Sequence, residues 1–314
     1  MNISCENKKL ISIIVPVMNE QDAIVPFLDC VRKNLKDTSY KIEVIFIDDG
    51  SKDATVEKIQ ECSGYPDFAI RCIKLSRNFG KEAAMTAGLE YAKGDAVIPM
   101  DVDLQDPPSV ITLFIKKWEE GFDTVYGIRN SRNEDSVSKK ASAGFFYKLF
   151  NKISETPIPH DAGDFRLMDR KVVEAIKMLP EKNRFMKGLF IWPGFSSVGV
   201  GYDRPARLHG KTKFNAWKLW QFALDGITSF STWPLRIWSY VGGGVALLSL
   251  IYMIYIIFRT LVWGVQWPGY ASTMSAVLFL GAIQLISIGV LGEYIGRLYL
   301  ESKKRPIYIV DKEF

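Results

Sequence analysis

The chain has 314 residues, of which 48% are hydrophobic and 24% charged, and its formal net charge is +5. A net charge this small gives no support to nucleic-acid binding. The hydrophobic content is too high for a purely soluble surface, so we expect apolar residues to be concentrated in particular segments.

Up to about residue 130, short β-branched runs alternate with amphipathic stretches. Such alternation predicts an α/β domain with a mostly parallel sheet covered on both faces. The predicted strands run from Ile11 to Val15, Ile42 to Ile47, Ala69 to Leu75, Ala96 to Met100 and Thr124 to Tyr126, and the helices begin near Glu20, Asp53, Lys81 and Pro108.

Two carboxylates, Asp101 and Asp103, come directly after the fourth predicted strand. In open α/β sheets, ligands bind beyond the carboxyl ends of the strands. Carboxylate oxygens suit a hard cation such as Mg²⁺ or Mn²⁺ that bridges a nucleotide diphosphate. The motif therefore predicts a metal and diphosphate site, although a solvated acidic turn ended by two prolines is the alternative.

Two earlier strand ends also carry acidic or turn-forming residues. The first strand is followed by the segment Pro16 to Glu20, and the second by Asp48-Asp49-Gly50-Ser51. Because parallel strands present their carboxyl ends on one edge, these loops are expected to converge with Asp101 on one nucleotide. Each loop alone would also make an ordinary turn or helix N-cap.

Beyond residue 130 the pattern becomes basic and aromatic. Residues 142–153 and 213–228 place aromatic and aliphatic side chains at helical spacing, with lysines between them. This pattern predicts amphipathic helices in the membrane interface. An ordinary helix packed on the sheet remains the alternative, more so for the first segment than for the second.

Two uncharged apolar runs extend from Ile237 to Phe258 and from Ser272 to Gly292. Each reaches the length of about 20 residues that a transmembrane helix needs. The loop between them has no charge, whereas Lys and Arg lie before the first run and after the second, which places both flanks in the cytoplasm. We therefore expect a cytoplasmic domain over 1–233, a two-helix membrane region over 234–300 and a cytoplasmic tail over 301–314.

Several motifs in this order resemble the family 2 glycosyltransferases that load a sugar onto a polyprenyl phosphate, and among them the bactoprenol glucosyltransferases. The motifs are Val15-Pro16-Val17-Met18-Asn19-Glu20, Asp48-Asp49-Gly50-Ser51, Arg77-Asn78-Phe79-Gly80-Lys81, Asp101-Val102-Asp103-Leu104-Gln105, Gly163-Asp164-Phe165-Arg166, Phe185-Met186-Lys187-Gly188, Lys213-Phe214-Asn215-Ala216-Trp217-Lys218-Leu219-Trp220 and Leu291-Gly292-Glu293-Tyr294-Ile295-Gly296-Arg297. The resemblance covers nearly the whole chain. It implies a GT-A, Rossmann-like fold, inversion at the anomeric carbon and a divalent cation, Mg²⁺ or Mn²⁺.

The resemblance also implies roles for individual residues. Pro16, Glu20, Asp49, Lys81 and Asp101 would bind the nucleotide sugar, and Asp101, Asp103 and Gln105 would form the metal and diphosphate motif. The acceptor phosphate or sugar would contact Arg129, Arg132, Asp164, Arg166, Arg207, Lys211 and Lys213. Asp101, Asp103, Arg129 and Arg132 are the expected catalytic residues.

A lipid phosphate acceptor needs no general base, because a phosphate monoester with a second pKa of ~6 is already anionic near neutral pH. The expected reaction is transfer of glucose from UDP-glucose to undecaprenyl phosphate at the bacterial inner membrane, for O-antigen or other surface glycan modification. UDP-GlcNAc, UDP-galactose or GDP-mannose are alternative donors. A non-catalytic membrane scaffold is the alternative from another class, and a homo-oligomer is compatible with the sequence.

Overall fold

The computed structural model describes residues 9–130, 162–182, 184–203, 233–263 and 269–314. The predicted interfacial helices at 142–153 and 213–228 lie outside these ranges, as do Arg132, Arg207, Lys211 and Lys213.

The described residues form one eight-stranded sheet in the order β7-β5-β6-β4-β1-β2-β3-β8. Strands β1 to β4 are mutually parallel and β5 is parallel to β7, whereas β6 and β8 run antiparallel to their neighbours. The predicted mostly parallel α/β sheet is therefore confirmed. The strands are β1 Leu10–Val17, β2 Lys41–Asp48, β3 Phe68–Leu75, β4 Ala96–Pro99, β5 Thr124–Arg129, β6 Ala162–Asp169, β7 Ser197–Tyr202 and β8 Val310–Glu313.

Helices cover both faces of the sheet. The described helices are α1 Ile24–Leu35, α2 Thr55–Glu61, α3 Lys81–Tyr91, α4 Val110–Glu119, α5 Arg170–Lys177 and the short α6 Met186–Leu189, followed by the two long helices α7 Trp233–Trp263 and α8 Tyr270–Ser302. On one face, α1 and α4 contribute Phe27 and Phe114 to a core with Ile11 and Ile13 of β1; on the other, α3 and α5 contribute Met85 and Val172. The β-branched runs are thus buried on both sides, as parallel strands require.

Helix α7 extends the first predicted apolar run by four residues at its start and five at its end, and α8 extends the second by two and ten. Among the described residues, the stretch Phe279–Ser302 is long and apolar enough by length and composition to cross a membrane. The α/β part of the predicted architecture is therefore confirmed, and the prediction of two membrane spans is met in part, by one candidate segment.

The tail after α8 returns to the sheet, which the sequence analysis did not predict. Strand β8 pairs antiparallel with β3, and Cys72 and Phe314 exchange backbone hydrogen bonds of 3.1 and 2.9 Å. The Ser76 N–H donates to the carbonyl of Ile309 at 2.9 Å, immediately after β3 ends. The chain end is therefore attached to the domain that carries the predicted site.

Candidate active site at the carboxyl edge of the sheet

The loops after β1 and β2 hold each other through side-chain to backbone hydrogen bonds. The Asn19 N–H donates to Oγ of Ser51 at 2.9 Å, and the Lys52 N–H donates to Oδ1 of Asn19 at 2.8 Å. The Glu20 N–H donates to Oγ1 of Thr55 at 2.9 Å. Pro16, inside β1, and Glu20 thus lie on the edge where the sequence placed them.

Asp49 joins the loop after β2 to the loop after β3. Its buried carboxylate accepts hydrogen bonds from the N–H groups of Phe79 at 2.7 Å and Gly80 at 2.9 Å. Burial raises the pKa of Asp49, and these two N–H donors offset only part of that rise. Asp49 therefore fixes the loop that leads into α3.

Lys81, the first residue of α3, connects two loops that the sequence analysis treated separately. Its Nζ lies 2.7 Å from Oδ1 of Asp101 and 3.3 Å from Oδ2 of Asp164. Burial would lower the pKa of Lys81, but the two carboxylates outweigh it and raise the pKa above its ordinary value. A permanent cation therefore lies between the acidic motif after β4 and the start of β6.

Asp103 and Gln105 follow Asp101 in a tight turn. The Gln105 N–H donates to Oδ1 of Asp103 at 3.1 Å, and Leu104 between them has a φ of +55°, in the left-handed region. Oε1 of Gln105 is buried without a hydrogen-bond partner among the described residues. Among the residues that the structure describes, no group of three or more His, Cys, Asp or Glu side chains is placed to hold a metal ion.

The acidic motif nevertheless fits an ion that is shared with a substrate. Mg²⁺ in phosphate-transfer sites is held by one or two carboxylates, with substrate phosphates and water completing the shell. Asp101 and Asp103 supply two carboxylates, and the unpartnered oxygen of Gln105 supplies a third hard donor nearby in the chain. A diphosphate would complete such a set.

Arg129 ends β5 beside a buried polar pair that sequence reasoning missed. The hydroxyl of Tyr202 donates to Oδ1 of Asp106, and Nη2 of Arg129 lies 4.0 Å from the same oxygen. The Nε of Arg129 donates to the Tyr202 hydroxyl at 3.5 Å. Asp106 and Tyr202 are 96 positions apart in the chain, so no local pattern could have predicted their contact.

Asp164 and Arg166 of β6 lie in different environments. Burial raises the pKa of Asp164, but Lys81, Lys187 and Arg166 bring it below its ordinary value. Arg166 is 2% exposed, donates from Nη2 to the carbonyl of Gly163 at 2.7 Å, and has its guanidinium 4.2 Å from the centre of the Phe190 ring. Burial lowers the pKa of Arg166 to about 10. Its cation is thus held inside the domain, behind Asp164.

Glu82, next to Lys81, is a further residue that sequence reasoning missed. Its Oε2 is buried without a hydrogen-bond partner among the described residues, while its carboxylate accepts a backbone hydrogen bond from Met186 of α6. Burial and the charge of Asp164 raise the pKa of Glu82 to about 8. A capping or i,i+4 pattern gives no hint of this contact, because it depends on how α6 packs.

Comparison with known proteins finds two family models that match this chain and relatives that cover nearly all of it. The family model "Glycosyl transferase family 2" matches residues 12–177, and the model "GtrB C-terminal hairpin" matches residues 233–298. The bactoprenol glucosyl transferase of Shigella phage SfV is 52% identical over 303 residues, covering 96% of this chain and 98% of its own. An uncharacterized glycosyltransferase of Synechocystis is 50% identical, covering 96% and 94%.

A solved structure shows the same fold at low sequence identity. The mannosyltransferase PcManGT of Pyrobaculum calidifontis, in complex with GDP-Man and Mn²⁺, superposes with a TM-score of 0.50 at 17% identity. The match covers 93% of this chain and 85% of that one. The GT-A-like α/β fold expected from the sequence is therefore confirmed.

Proposed function

The chain belongs to glycosyl transferase family 2, and we propose that it transfers a glucosyl group from UDP-glucose to undecaprenyl phosphate. The observation that carries this proposal is the 52% identity to bactoprenol glucosyl transferases over 96% of the chain. The product would be a polyprenyl-phosphate sugar for O-antigen or other surface glycan modification. An intact acidic motif speaks against a scaffold without activity.

The membrane arrangement is part of the proposal. The two long helices α7 and α8 form a hairpin through the bacterial inner membrane, and the α/β domain and the tail lie on the cytoplasmic side. Support comes from the hairpin family match at 233–298 and from the lysines and arginine that follow α8, since positive charge concentrates on the cytoplasmic side. The domain boundaries at residues 233 and 300 follow from this arrangement.

In the proposed reaction, an oxygen of the lipid phosphate attacks the anomeric carbon while the bond from that carbon to the nucleotide diphosphate breaks. The phosphate is already anionic, so no side chain needs to remove a proton. The protein's task is to hold the two substrates in line. Attack from the face opposite the leaving group inverts the configuration.

Residues at the carboxyl edge are suited to this task. The cation of Lys81, held between Asp101 and Asp164, is placed to orient the donor, and Arg129 is placed to hold the acceptor phosphate by charge-assisted hydrogen bonds. Asp101, Asp103 and Gln105 would hold Mg²⁺ or Mn²⁺. Such an ion, when bound, stabilises the negative charge of the departing diphosphate. Arg132, Arg207, Lys211 and Lys213 remain proposed acceptor contacts.

A donor panel tests the proposal. The full-length protein in detergent is given undecaprenyl phosphate and, separately, UDP-glucose, UDP-GlcNAc, UDP-galactose and GDP-mannose, and the lipid product is extracted and weighed by mass spectrometry. We expect a hexosyl-phosphate lipid with UDP-glucose far above the other donors. A dominant product from another donor would replace the sugar assignment, and no lipid product from any donor would refute the proposal.

A further inference from the structure

A cavity of about 420 Å³ lies away from the candidate active site, between α3, the loop after α5 and the C-terminal tail. Glu90, on its wall, follows Lys81 by nine positions along α3, which separates the two by about 13 Å at 1.5 Å per residue. The cavity therefore does not belong to the substrate edge, and the reaction described above makes no use of it.

The cavity adjoins the end of the membrane-candidate helix α8. The Lys182 N–H donates to Oε1 of Glu301 at 2.8 Å, and its Nζ donates to the Glu301 carbonyl at 3.1 Å. Glu301 is in the last turn of α8, which ends at Ser302. These two bonds attach one wall of the cavity to the point where the helix leaves the membrane in the proposed arrangement.

Three cations line the cavity, namely Lys182, Arg184 and Arg305. Arg184 donates from Nη2 to the Leu179 carbonyl at 3.0 Å, but its Nε is buried and has no hydrogen-bond partner among the described residues. Arg305 is exposed and forms no ion pair within the described part of the chain. Arg305 thus has donors available at the cavity, and Arg184 contributes a buried donor without a partner among the described residues.

Three carboxylates near Arg184, those of Glu90, Glu181 and Glu301, equal the three cations in number, but two of them already bind other groups. Glu90 accepts a hydrogen bond from the Tyr308 hydroxyl, and Glu301 is bound to Lys182. Burial lowers the pKa of Arg184, and the charges of Glu181, Glu90 and Glu301 offset that only in part. An anion bound beside Arg184 would offset the cost of burying its guanidinium.

We propose that this cavity binds the phosphate group of an anionic phospholipid, with Arg184, Arg305 and Lys182 around the phosphate. Leu179, Pro306 and Ile307 form an apolar wall for the glycerol and upper acyl carbons. Arginine forks bind phosphate oxygens through paired charge-assisted hydrogen bonds. A lipid fits better than free phosphate because of that wall and the adjoining helix end. This inference rests on the proposed membrane crossing of α8, but not on the sugar-transfer reaction.

Lipid-dependent stability tests the site. The full-length protein in neutral detergent is titrated with phosphatidylglycerol or phosphatidylcholine, and thermal unfolding is followed together with retained lipid in native mass spectrometry. We expect stabilisation by phosphatidylglycerol but not by phosphatidylcholine. The double variant Arg184→Gln/Arg305→Gln should need about tenfold more phosphatidylglycerol for half of the effect, since charged hydrogen bonds to phosphate are lost. The single variant Arg305→Gln changes an exposed residue and should leave the fold intact. It should show part of the increase in the phosphatidylglycerol concentration that is needed.

The matched control is Lys303→Gln/Lys304→Gln, which removes the same charge from the tail without touching the cavity wall. It should respond to phosphatidylglycerol as the unchanged protein does. Equal losses in the control and cavity variants, equal stabilisation by phosphatidylcholine, or full stabilisation by inorganic phosphate alone would each overturn the proposal. Because no readout is sugar transfer, these failures would leave the proposed reaction untouched.

Discussion

Arg129 is the residue proposed to hold the acceptor phosphate, and Tyr202 and Asp106 contact its guanidinium at the end of β5. Arg129→Lys keeps the charge but loses the planar fork. We expect about a tenfold loss in kcat/KM for the lipid acceptor, or ~1.4 kcal/mol in the transition state, with donor binding unchanged. Steady-state kinetics with varied lipid acceptor at saturating UDP-glucose measure this loss.

Arg32→Lys, at an exposed ion pair with Asp67, is the control. Equal kinetics for both variants would remove Arg129 from the acceptor site.

Glu82 makes stability depend on pH in a particular direction. Its pKa is raised to about 8 in the folded state, from an ordinary value of 4.5. Between these values the folded protein binds more protons than the unfolded chain, so the free energy of unfolding falls as pH rises. Glu82→Gln has no carboxyl group at this position, so its free energy of unfolding should not fall with pH for this reason. Its Tm should therefore rise relative to that of the unchanged protein as pH is raised from about 5 to about 9, a range that covers most of the interval between the two pKa values.

Differential scanning calorimetry across that pH range measures the effect of Glu82→Gln. Glu57→Gln, on the exposed side of α2, is the matched control and should follow the unchanged protein at every pH. Parallel curves for Glu82→Gln and the unchanged protein would show that Glu82 has an ordinary pKa in the folded state.

At the scale of elements, the loop after β2 depends on one glycine. Gly50 has φ of +77°, and a Cβ there would lie 2.7 Å from the backbone nitrogen of Asn78. The close approach of this loop to the loop after β3 is what lets Asp49 bind Phe79 and Gly80. Gly50 therefore permits the contact between the two loops that position the site.

Gly50→Ala should destabilise the protein by at least about 1–2 kcal/mol from the left-handed backbone alone, and the clash with Asn78 adds to this. It should also weaken UDP binding, because the loop after β3 has to shift. Urea unfolding and calorimetric UDP titration measure the two effects. Gly64→Ala, where a Cβ meets no atom within 4 Å, should change neither. Unchanged UDP affinity in Gly50→Ala would separate this loop from the nucleotide site.

The first five strands were predictable because their β-branched runs are buried on both faces of a parallel sheet. The other three strands, β6, β7 and β8, could not be predicted from the sequence. β6 contains Asp164 and Arg166, and the edge strand β7 contains Gly199 and Gly201, so neither has the composition of a typical strand. β8 has three charged residues and is a strand only because β3 supplies its partners.

The same division holds for the site. Asp101, Asp103 and Asp49 were predictable from their positions after strands, since the topology brings strand ends together. The contacts of Lys81 with Asp164, of Asp106 with Tyr202 and of Glu82 with α6 were not, because each joins segments distant in the chain. Such contacts depend on tertiary packing, which no local pattern encodes.

For the whole molecule, the proposed hairpin makes a topological prediction. A cysteine placed at Gly269, before α8, should react with an impermeant thiol reagent added to intact cells, whereas a cysteine at Lys304 should react only after the membrane is opened. Labelling is read by gel shift after purification, with the unchanged protein as the control for its own cysteines. External labelling at position 304 would contradict the cytoplasmic placement of the tail.

The central claim is that the acidic motif at the carboxyl edge takes part in sugar transfer to a lipid phosphate. The most direct test is to neutralise one carboxylate of the motif and measure the transfer that remains. Asp103→Asn should fold and remain in the membrane but lose nearly all glucosyl-lipid formation from UDP-glucose, and EDTA should do the same to the unchanged protein. Asp67→Asn, the same change at an exposed surface ion pair, should retain activity. Substantial turnover by Asp103→Asn, or full activity in the chelator, would contradict the account.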